Sequence, residues 1–262
     1  MVPTLDKGRW AMPNVGTLVI LRHGESTLNA QGRFTGLLDP VLTPRGREEV
    51  RHAGETLTDL GFIPQIIFSS TMCRAVESAN LVNALLTAGT VPVLRAWELN
   101  ERNYGSLTGR SRTELLREFG PEVLHQWRRS MHQAPPPMTG WQLESIRASP
   151  ALATMPASAI LKTESLDAVV TRVRGLWSKI LRPALVSGSN VLVIGHGNSL
   201  RALCMLIDSL SEDEVERLNL PTGQPLHYSF QPGCVPCPRG GIYLNPGAAA
   251  HAVSVLAMDG GT

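Results

Sequence analysis

The chain has 262 residues, 43% of them hydrophobic, ample for a buried core in one large domain or two small ones. Its 24 basic and 22 acidic side chains leave a formal net charge of +2. Neither nucleic acid nor a membrane surface is answered by such a balance, so any anion site must be built by local clustering of arginine.

No uninterrupted apolar stretch has the length of a bilayer span, and "MVPTLDKGRWAMPNVG" has no apolar core of signal-peptide length. A soluble, cytoplasmic protein is therefore the expectation. Residues 1–15 read as an N-terminal extension and residues 16–262 as a single domain. From there strand-like and helix-like runs alternate. "TLVIL" is a strand, and "TPRGREEVRHAGETLTDLG" is a helix with Thr43 as cap, Pro44 at its first position and Gly61 as its stop. "QIIFSS" is a second strand, followed by the helix "TMCRAVESANLVNALL". "VPVLRAWEL" is a third. The stretch at about 134–162, rich in Pro, Ala and Ser, reads as an irregular surface excursion. "SLDAVVTRVRGLWSKILRPALV" is one long helix, "NVLVIG" a fourth strand, and "SLRALCMLIDSL" the next helix. "SEDEVERL" carries a capping box, Ser211 with Glu214. "PLHYSF" and "GIYL" are short late strands. This alternation predicts an α/β fold in three layers, a mostly parallel central sheet flanked by helices on both faces.

The chemistry-bearing residues stand where strands end. "LRHGESTLNA" and "GHGNSLRAL" each pass from a buried strand into His-Gly and then towards a helix, which places His23 and His196 alike. If the two strands are neighbours, the histidines converge at the carboxyl edge of the sheet, the ligand-binding edge of such folds. Gly24 and Gly197 permit close backbone approach. A third strand end, "IIFSSTMCRA", brings Arg74 to a helix start. Arg22, Arg74, His23, His196, Asn29 and Ser26 are donors suited to a phosphate. A neutral imidazole is a competent nucleophile towards phosphorus, and a second can stabilise the charge of the group in transfer.

The segments "LRHGESTLNAQGRFTG", "LNERNYGSLTG", "WRRS…APPP", "GHGNSLRAL" and "LNLPTGQPL" occur in this order, and the chain resembles the histidine phosphatase superfamily and, within it, the cofactor-dependent phosphoglycerate mutases. The likeness runs from about residue 16 to 137 and from 163 to 230. It implies that His23 is the phosphorylated nucleophile and Glu101 the proton donor and acceptor for the substrate hydroxyl. It implies that Arg22, Arg74, His196 and Asn29 hold the transferring phosphoryl group. Thr35, Gly36, Tyr104, Arg112, Arg128 and Arg129 would hold the rest of the substrate, with Gly197 and Asn198 contributing at the His196 loop. The implied reaction is interconversion of 3- and 2-phosphoglycerate, primed by 2,3-bisphosphoglycerate, without a metal. The implied partners are small phosphorylated three-carbon acids, and a homo-oligomer, dimer or tetramer, is left open. The alternatives are a phosphatase of small phosphate monoesters and a non-catalytic phospholigand-binding protein.

Taken singly, these residues read otherwise. Arg128 and Arg129 would be a solvated helix face, Glu101 a surface carboxylate, Tyr104 ordinary packing at a loop, and Ser26 with Asn29 a helix cap. Three departures from the family pattern stand out. Asn103 replaces a histidine, Arg112 a lysine, and the stretch 138–162 a basic, tyrosine-containing segment. Of four cysteines, Cys73 and Cys204 read as inert core residues. Cys234 and Cys237, in "CVPC", have C-x-x-C spacing without a second ligand pair and read as an exposed loop.

Overall fold

The computed structural model describes residues 15–258, so the expected N-terminal extension lies, but for Val15, outside the described residues. The apolar runs form β1 (Leu18–Arg22), β2 (Ile66–Ser69), β3 (Val93–Arg95) and β4 (Val191–Gly195), followed by β5 (Leu226–Tyr228), a ribbon of β6 (Phe230–Gln231) with β7 (Val235–Pro236), and β8 (Ile242–Tyr243). The main sheet has the order β3-β2-β4-β1-β5-β8. Its first four strands are parallel, β5 pairs antiparallel with β1, and β8 pairs antiparallel with β5. The helices are α1 (Thr27–Ala30), α2 (Pro44–Asp59), α3 (Cys73–Thr87), α4 (Arg112–Arg129), α5 (Gly140–Arg147), α6 (Leu166–Leu176), α7 (Arg182–Val186), α8 (Gly197–Asp208), α9 (Glu212–Arg217) and α10 (Pro246–Met258).

Alternation along the central strands sends side chains to both faces of the sheet. Leu18, Ile20, Val191 and Val193 join the core cluster that holds Val169, Val173, Leu200 and Leu203 of α6 and α8. Val19, Leu21, Leu192 and Ile194 join the cluster that holds Val50, Leu57, Ala75 and Val82 of α2 and α3. All four residues of each strand face are buried, and each is worth roughly 1.5–3 kcal/mol of transfer free energy. The three layers follow from that pattern.

Local signals act as the sequence suggests in several places. Thr43 caps α2 by accepting from Gly46 N at 3.0 Å, and Ser211 and Glu214 form the capping box of α9. The long helix expected over 165–186 is continuous but not uniform. A π-helical stretch, Trp177–Leu181, separates α6 from α7. Pro183 has no N–H, and its ring would crowd the carbonyl four residues back, which accounts for a widened turn there. Helix α4 is broken at Gly120 (φ 78°), which precedes Pro121.

The stretch 134–162 is not irregular. Thr139 and Gln142 form a capping box that starts α5, and 3-10 turns follow at Pro150–Leu152 and Ala157–Ala159. Met138, Leu143, Ile146, Leu152, Met155 and Ile160 are buried together with Leu37 and Met72. The segment therefore props the loop around Thr35 and the start of α3. The CVPC motif also differs from the expected exposed loop. It closes the β6–β7 ribbon with Cys234 buried and Cys237 exposed, and no metal-ligand cluster of three or more acidic, histidine or cysteine residues occurs among the described residues. Cys204 is buried as expected, but Cys73 is only half-buried, its thiol directed at the carbonyls of Asp39 and Pro40.

Two glycines let α2 press against the chain just after β1. A Cβ on Gly24 would fall 2.0 Å from the Gly46 carbonyl oxygen, and one on Gly46 would fall 2.1 Å from that of Glu25. Gly175, in α6, has nothing within 4 Å of its Cβ position. Gly46→Ala is expected to destabilise by about 1–3 kcal/mol through overpacking. Gly175→Ala should instead stabilise by up to ~1 kcal/mol, since glycine is a poor helix former. Thermal melts of the two variants check the contrast, and equal shifts would contradict it.

Candidate active site

The register of β1 on β4 pairs Arg22 with Gly195, and His23 N donates to Gly195 O at 3.1 Å. His23 and His196 consequently leave neighbouring strands side by side, with ring centroids 4.8 Å apart. β2 flanks β4 on the other side, and Ser70 Oγ lies 2.7 Å from His196 Nε2. The chain then turns into α3, whose second residue is Arg74. Its Nε donates towards His23 Nε2 at 3.4 Å, and NH1 and NH2 are held by the carbonyls of Leu38 (2.8 Å) and Gly36 (3.4 Å).

His23 Nδ1 lies 2.6 Å from Gly24 O. A carbonyl only accepts, so Nδ1 carries the proton and Nε2 presents its lone pair. Burial, then Arg74 and Arg22, hold the His23 pKa well below 6.5. Burial, then Arg74 and His23, do the same at His196. Both rings are neutral at physiological pH. Arg74 is lowered by burial to about 10 and stays cationic.

Glu101 is buried and faces the same cleft. Its Oε1 accepts from Arg102 N (2.7 Å), Asn198 Nδ2 (3.0 Å) and Asn198 N (3.3 Å). Tyr104 OH accepts from the same Asn198 amide at 2.8 Å, and its ring meets Phe34 edge-on. The cleft has a volume of about 520 Å³. Besides Arg22, His23, Arg74 and Glu101, it is lined by Asn29, Thr35, Tyr104, Arg112 and Arg128. Arg22 Nε and Thr35 Oγ1 are buried without a partner among the described residues, as expected of groups that wait for a ligand oxygen. Arg128 is lowered by burial to about 10, with Arg112, Arg129 and Arg102 as its cationic neighbours. It forms a second basic group beside the one at the histidines.

Other expected site residues are placed differently. Arg129 turns away from the cleft and donates to the carbonyls of Glu216 and Leu218 (2.9 Å) and to Asn219 Oδ1 (3.3 Å). Its next-door neighbour Arg128 lines the cleft because adjacent helical positions face different directions. Both are buried, so the solvated-face reading fails for both. Ser26 is fully buried and serves as the N-cap of α1, its hydroxyl bonded to Asn29 Oδ1 at 2.8 Å. Asn29 thus belongs both to that cap and to the cleft. His196, fully buried beside His23, does not itself line the cleft, and neither do Gly36, Gly197 and Asn198. Gly36 (φ 51°) offers its carbonyl to Arg74, and a Cβ there would lie 2.9 Å from Thr108 Oγ1.

Sequence reasoning missed the rest of the wall. Arg33, Glu25, Glu49, Thr222 and Gln224 line the cleft, as do His251 and Val255 of α10. The loop at 220–223 is strapped to β1, since Arg22 NH1 donates to Leu220 O (2.9 Å) and Gly223 N to Arg22 O (3.1 Å). Thr222 and Gln224 lie within the quoted "LNLPTGQPL", which was a usable signal. Nothing in the composition of α10 marks it as a cleft element.

Residues 18–159 match the family model of the histidine phosphatase superfamily (branch 1). A protein of Thermobifida fusca is 42% identical over 248 residues, covering 94% of this chain and all of that protein. One of Streptomyces avermitilis is 40% identical over 243 residues, covering 93% of this chain and 96% of that protein. Each is named a 2,3-bisphosphoglycerate-dependent phosphoglycerate mutase. The fold is shared with a mycobacterial glucosyl-3-phosphoglycerate phosphatase in complex with VO3 (TM-score 0.65, 21% identity, 84% of this chain and 94% of that one). It is shared also with an alpha-ribazole phosphatase of Shigella flexneri (TM-score 0.62, 21% identity, 82% and 91%).

The buried neutral histidines make stability depend on pH. His23 and His196 have folded pKa values well below the 6.5 of a free imidazole, and burial lowers His227 to about 4. Below about pH 6.5 the unfolded chain binds these protons and the folded one does not, so stability must fall as pH falls from there. Melting temperature measured from pH 7 down to pH 5 should decline, and His23→Gln should decline less steeply. Parallel curves for the two proteins would contradict the assignment.

Proposed function

Because the chain belongs to the histidine phosphatase superfamily, we propose that it interconverts 3-phosphoglycerate and 2-phosphoglycerate, as an isomerase that works by intramolecular phosphotransfer. The reading follows the name borne by relatives about 40% identical over almost the whole chain. The observation that carries it is one cleft with two basic groups. Arg22 and Arg74 stand with the paired histidines, and Arg112 and Arg128 stand in the same cleft. A ligand charged at both ends fits such a site, whereas a monoester hydrolase needs only the first group.

The steps follow from the donors and acceptors. His23 Nε2 attacks phosphorus, so that an N–P bond forms as the bond from phosphorus to the sugar-acid oxygen breaks. Glu101 gives that oxygen its proton and, in the return direction, takes one from the attacking hydroxyl. Arg22, Arg74, His196 and Asn29 hold the equatorial oxygens. Thr35, Tyr104, Arg112 and Arg128 hold the remainder of the acid. The unpartnered Arg22 Nε and Thr35 Oγ1 fit 2,3-bisphosphoglycerate, which supplies the priming phosphoryl group when bound. Ser26, Gly36, Gly197, Asn198 and Arg129 act from behind, on the side chains and loops that line the cleft. A cytoplasmic setting goes with this reaction.

Exposure to 2,3-bisphosphoglycerate should add one phosphoryl mass to the intact protein, stable to base and labile to acid. His23→Ala should take up none. Persistence of the added mass in that variant would overturn the covalent step.

A coupled assay with 3-phosphoglycerate tests the reaction itself. The expected result is 2-phosphoglycerate in large excess over free phosphate, with turnover that depends on added 2,3-bisphosphoglycerate. In Arg128→Ala the demand for that cofactor should rise by roughly 10- to 100-fold, the worth of one charge-assisted contact to a buried anion. Phosphorylation of His23 should persist in that variant. Free phosphate as the main product would make the chain a phosphatase.

A further inference from the structure

Arg201 is fully buried on α8 and takes no part in the steps above. Among the described residues it donates only to neutral oxygens. Nε and NH2 reach Val215 O at 3.1 and 2.7 Å, and NH1 reaches Asn198 Oδ1 at 3.1 Å. A buried guanidinium without a carboxylate against it is costly to keep, so its one side-chain partner is the place to look for its use.

That partner stands one helical turn back, and its amide faces two ways. Asn198 Oδ1 accepts from Arg201, while Nδ2 donates to Glu101 Oε1 (3.0 Å) and Tyr104 OH (2.8 Å). The carboxamide dipole thus lies between a cation and a carboxylate. Turned over, it would set its oxygen against Glu101 and its NH2 against the guanidinium, and both contacts would repel. Asn198 Nδ2, Asn198 N and Arg102 N together occupy Glu101 Oε1. Oε2 accepts no hydrogen bond among the described residues.

We propose that Arg201 is a positioning residue that fixes the Asn198 carboxamide, so that Glu101 Oε1 is tied down and Oε2 is the oxygen that exchanges protons with substrate. The inference rests on the reading of Glu101 as the acid and base of the reaction. Val215 O, which grips two of the three Arg201 nitrogens, makes the start of this chain part of α9. Among the described residues, the charged and titratable groups around Glu101 are Arg22 from β1, Arg74 from α3, Tyr104 and Arg201 through Asn198, and Arg172 through the Glu101 carbonyl; Arg102 meets it only with its backbone N–H, its guanidinium being turned to the carbonyls of Trp127 and Arg128.

The test is a double-mutant cycle on the full chain with 3-phosphoglycerate and 2,3-bisphosphoglycerate. Arg201→Lys keeps the charge but loses the planar fork that reaches both Val215 O and Asn198 Oδ1. It should lower kcat by roughly 10- to 100-fold, as expected for a misplaced proton-transfer group, with KM almost unchanged. The acid limb of the kcat–pH profile should move to higher pH as Glu101 loses a donor. In an Asn198→Ala background the same substitution should change kcat by less than about twofold, since coupled residues are not additive. Arg201→Gln serves in place of Arg201→Lys if a thermal melt shows the lysine variant unfolded. Persistence of the full kcat loss in the Asn198→Ala background, or an unmoved pH profile, would overturn the proposal. Glu101→Gln separates the two levels. Wild-type turnover in that variant removes the acid–base reading itself, whereas an inactive Glu101→Gln with additive Arg201 and Asn198 effects removes only the role of Arg201.

Discussion

The parallel pairing of β1 with β4, Arg22 opposite Gly195, is the constraint from which the site is built. A slip of one residue would turn every side chain of β1 to the other face of the sheet and carry His23 away from His196. The buried apolar faces forbid that slip, since Val19 and Leu21 belong to one core and Leu18 and Ile20 to the other. Hydrophobic burial thus sets the distance between the two histidines, although neither belongs to the apolar clusters. With β2 on the far side of β4, three parallel strands release their chains at one edge, where Arg22 with His23, then His196, then Ser70 with Arg74 stand together.

The same edge concentrates a charge that the composition conceals. A net +2 is spread over balanced sequence, yet Arg22, Arg74, Arg128, Arg129 and Arg201 are all desolvated, and burial is the largest cause of the lowered pKa at each. Arg74 and Arg201 each donate to backbone carbonyls through two of their nitrogens, and Arg74 also faces the Asp39 carboxylate at 3.8 Å. Carbonyls hold a guanidinium in place without neutralising it. The arrangement also keeps both imidazoles neutral, because a further cation beside Arg74 and Arg22 is disfavoured twice, by desolvation and by repulsion.

The layers and the placing of the two histidines at strand ends were legible because each depends on local pattern: apolar runs, His-Gly at a strand end, a cap and a stop around α2; that the two strands are neighbours is settled only by the sheet order. What escaped depends on direction and on distant partners. Nothing in "HQWRRS" says which arginine enters the cleft; helix geometry and the end of α9 with the residues after it, 216–219, decide that Arg128 does and Arg129 does not. Arg201 was in plain sight in "GHGNSLRAL", but its partner Val215 belongs to another helix. The excursion at 134–162 misled because its turns are short and its buried residues far apart, so neither the helical nor the strand period is sustained.

Two of the three departures from the family pattern turn out to be one arrangement. Asn103 Nδ2 donates to Leu161 O at 2.7 Å and its Oδ1 accepts from Gly105 N at 2.9 Å, so the unusual residue is bonded to the unusual segment. Asn103 N donates to Glu164 Oε2 at 2.7 Å, and Glu164 is paired with Arg172 at 3.0 Å, both side chains nearly inaccessible. Arg172 in turn donates to the carbonyls of Asn100 (2.9 Å) and Glu101 (3.2 Å). The loop that carries Glu101 is therefore clamped from one side by Arg172 with Glu164 and from the other by Asn198. Severing a buried ion pair by removing one partner leaves an uncompensated charge, a cost of about 3–5 kcal/mol, so this clamp resists piecemeal change. An asparagine suits position 103 because its short amide can bond two backbone groups at once, one in its own turn and one in the segment that replaces the family's basic stretch.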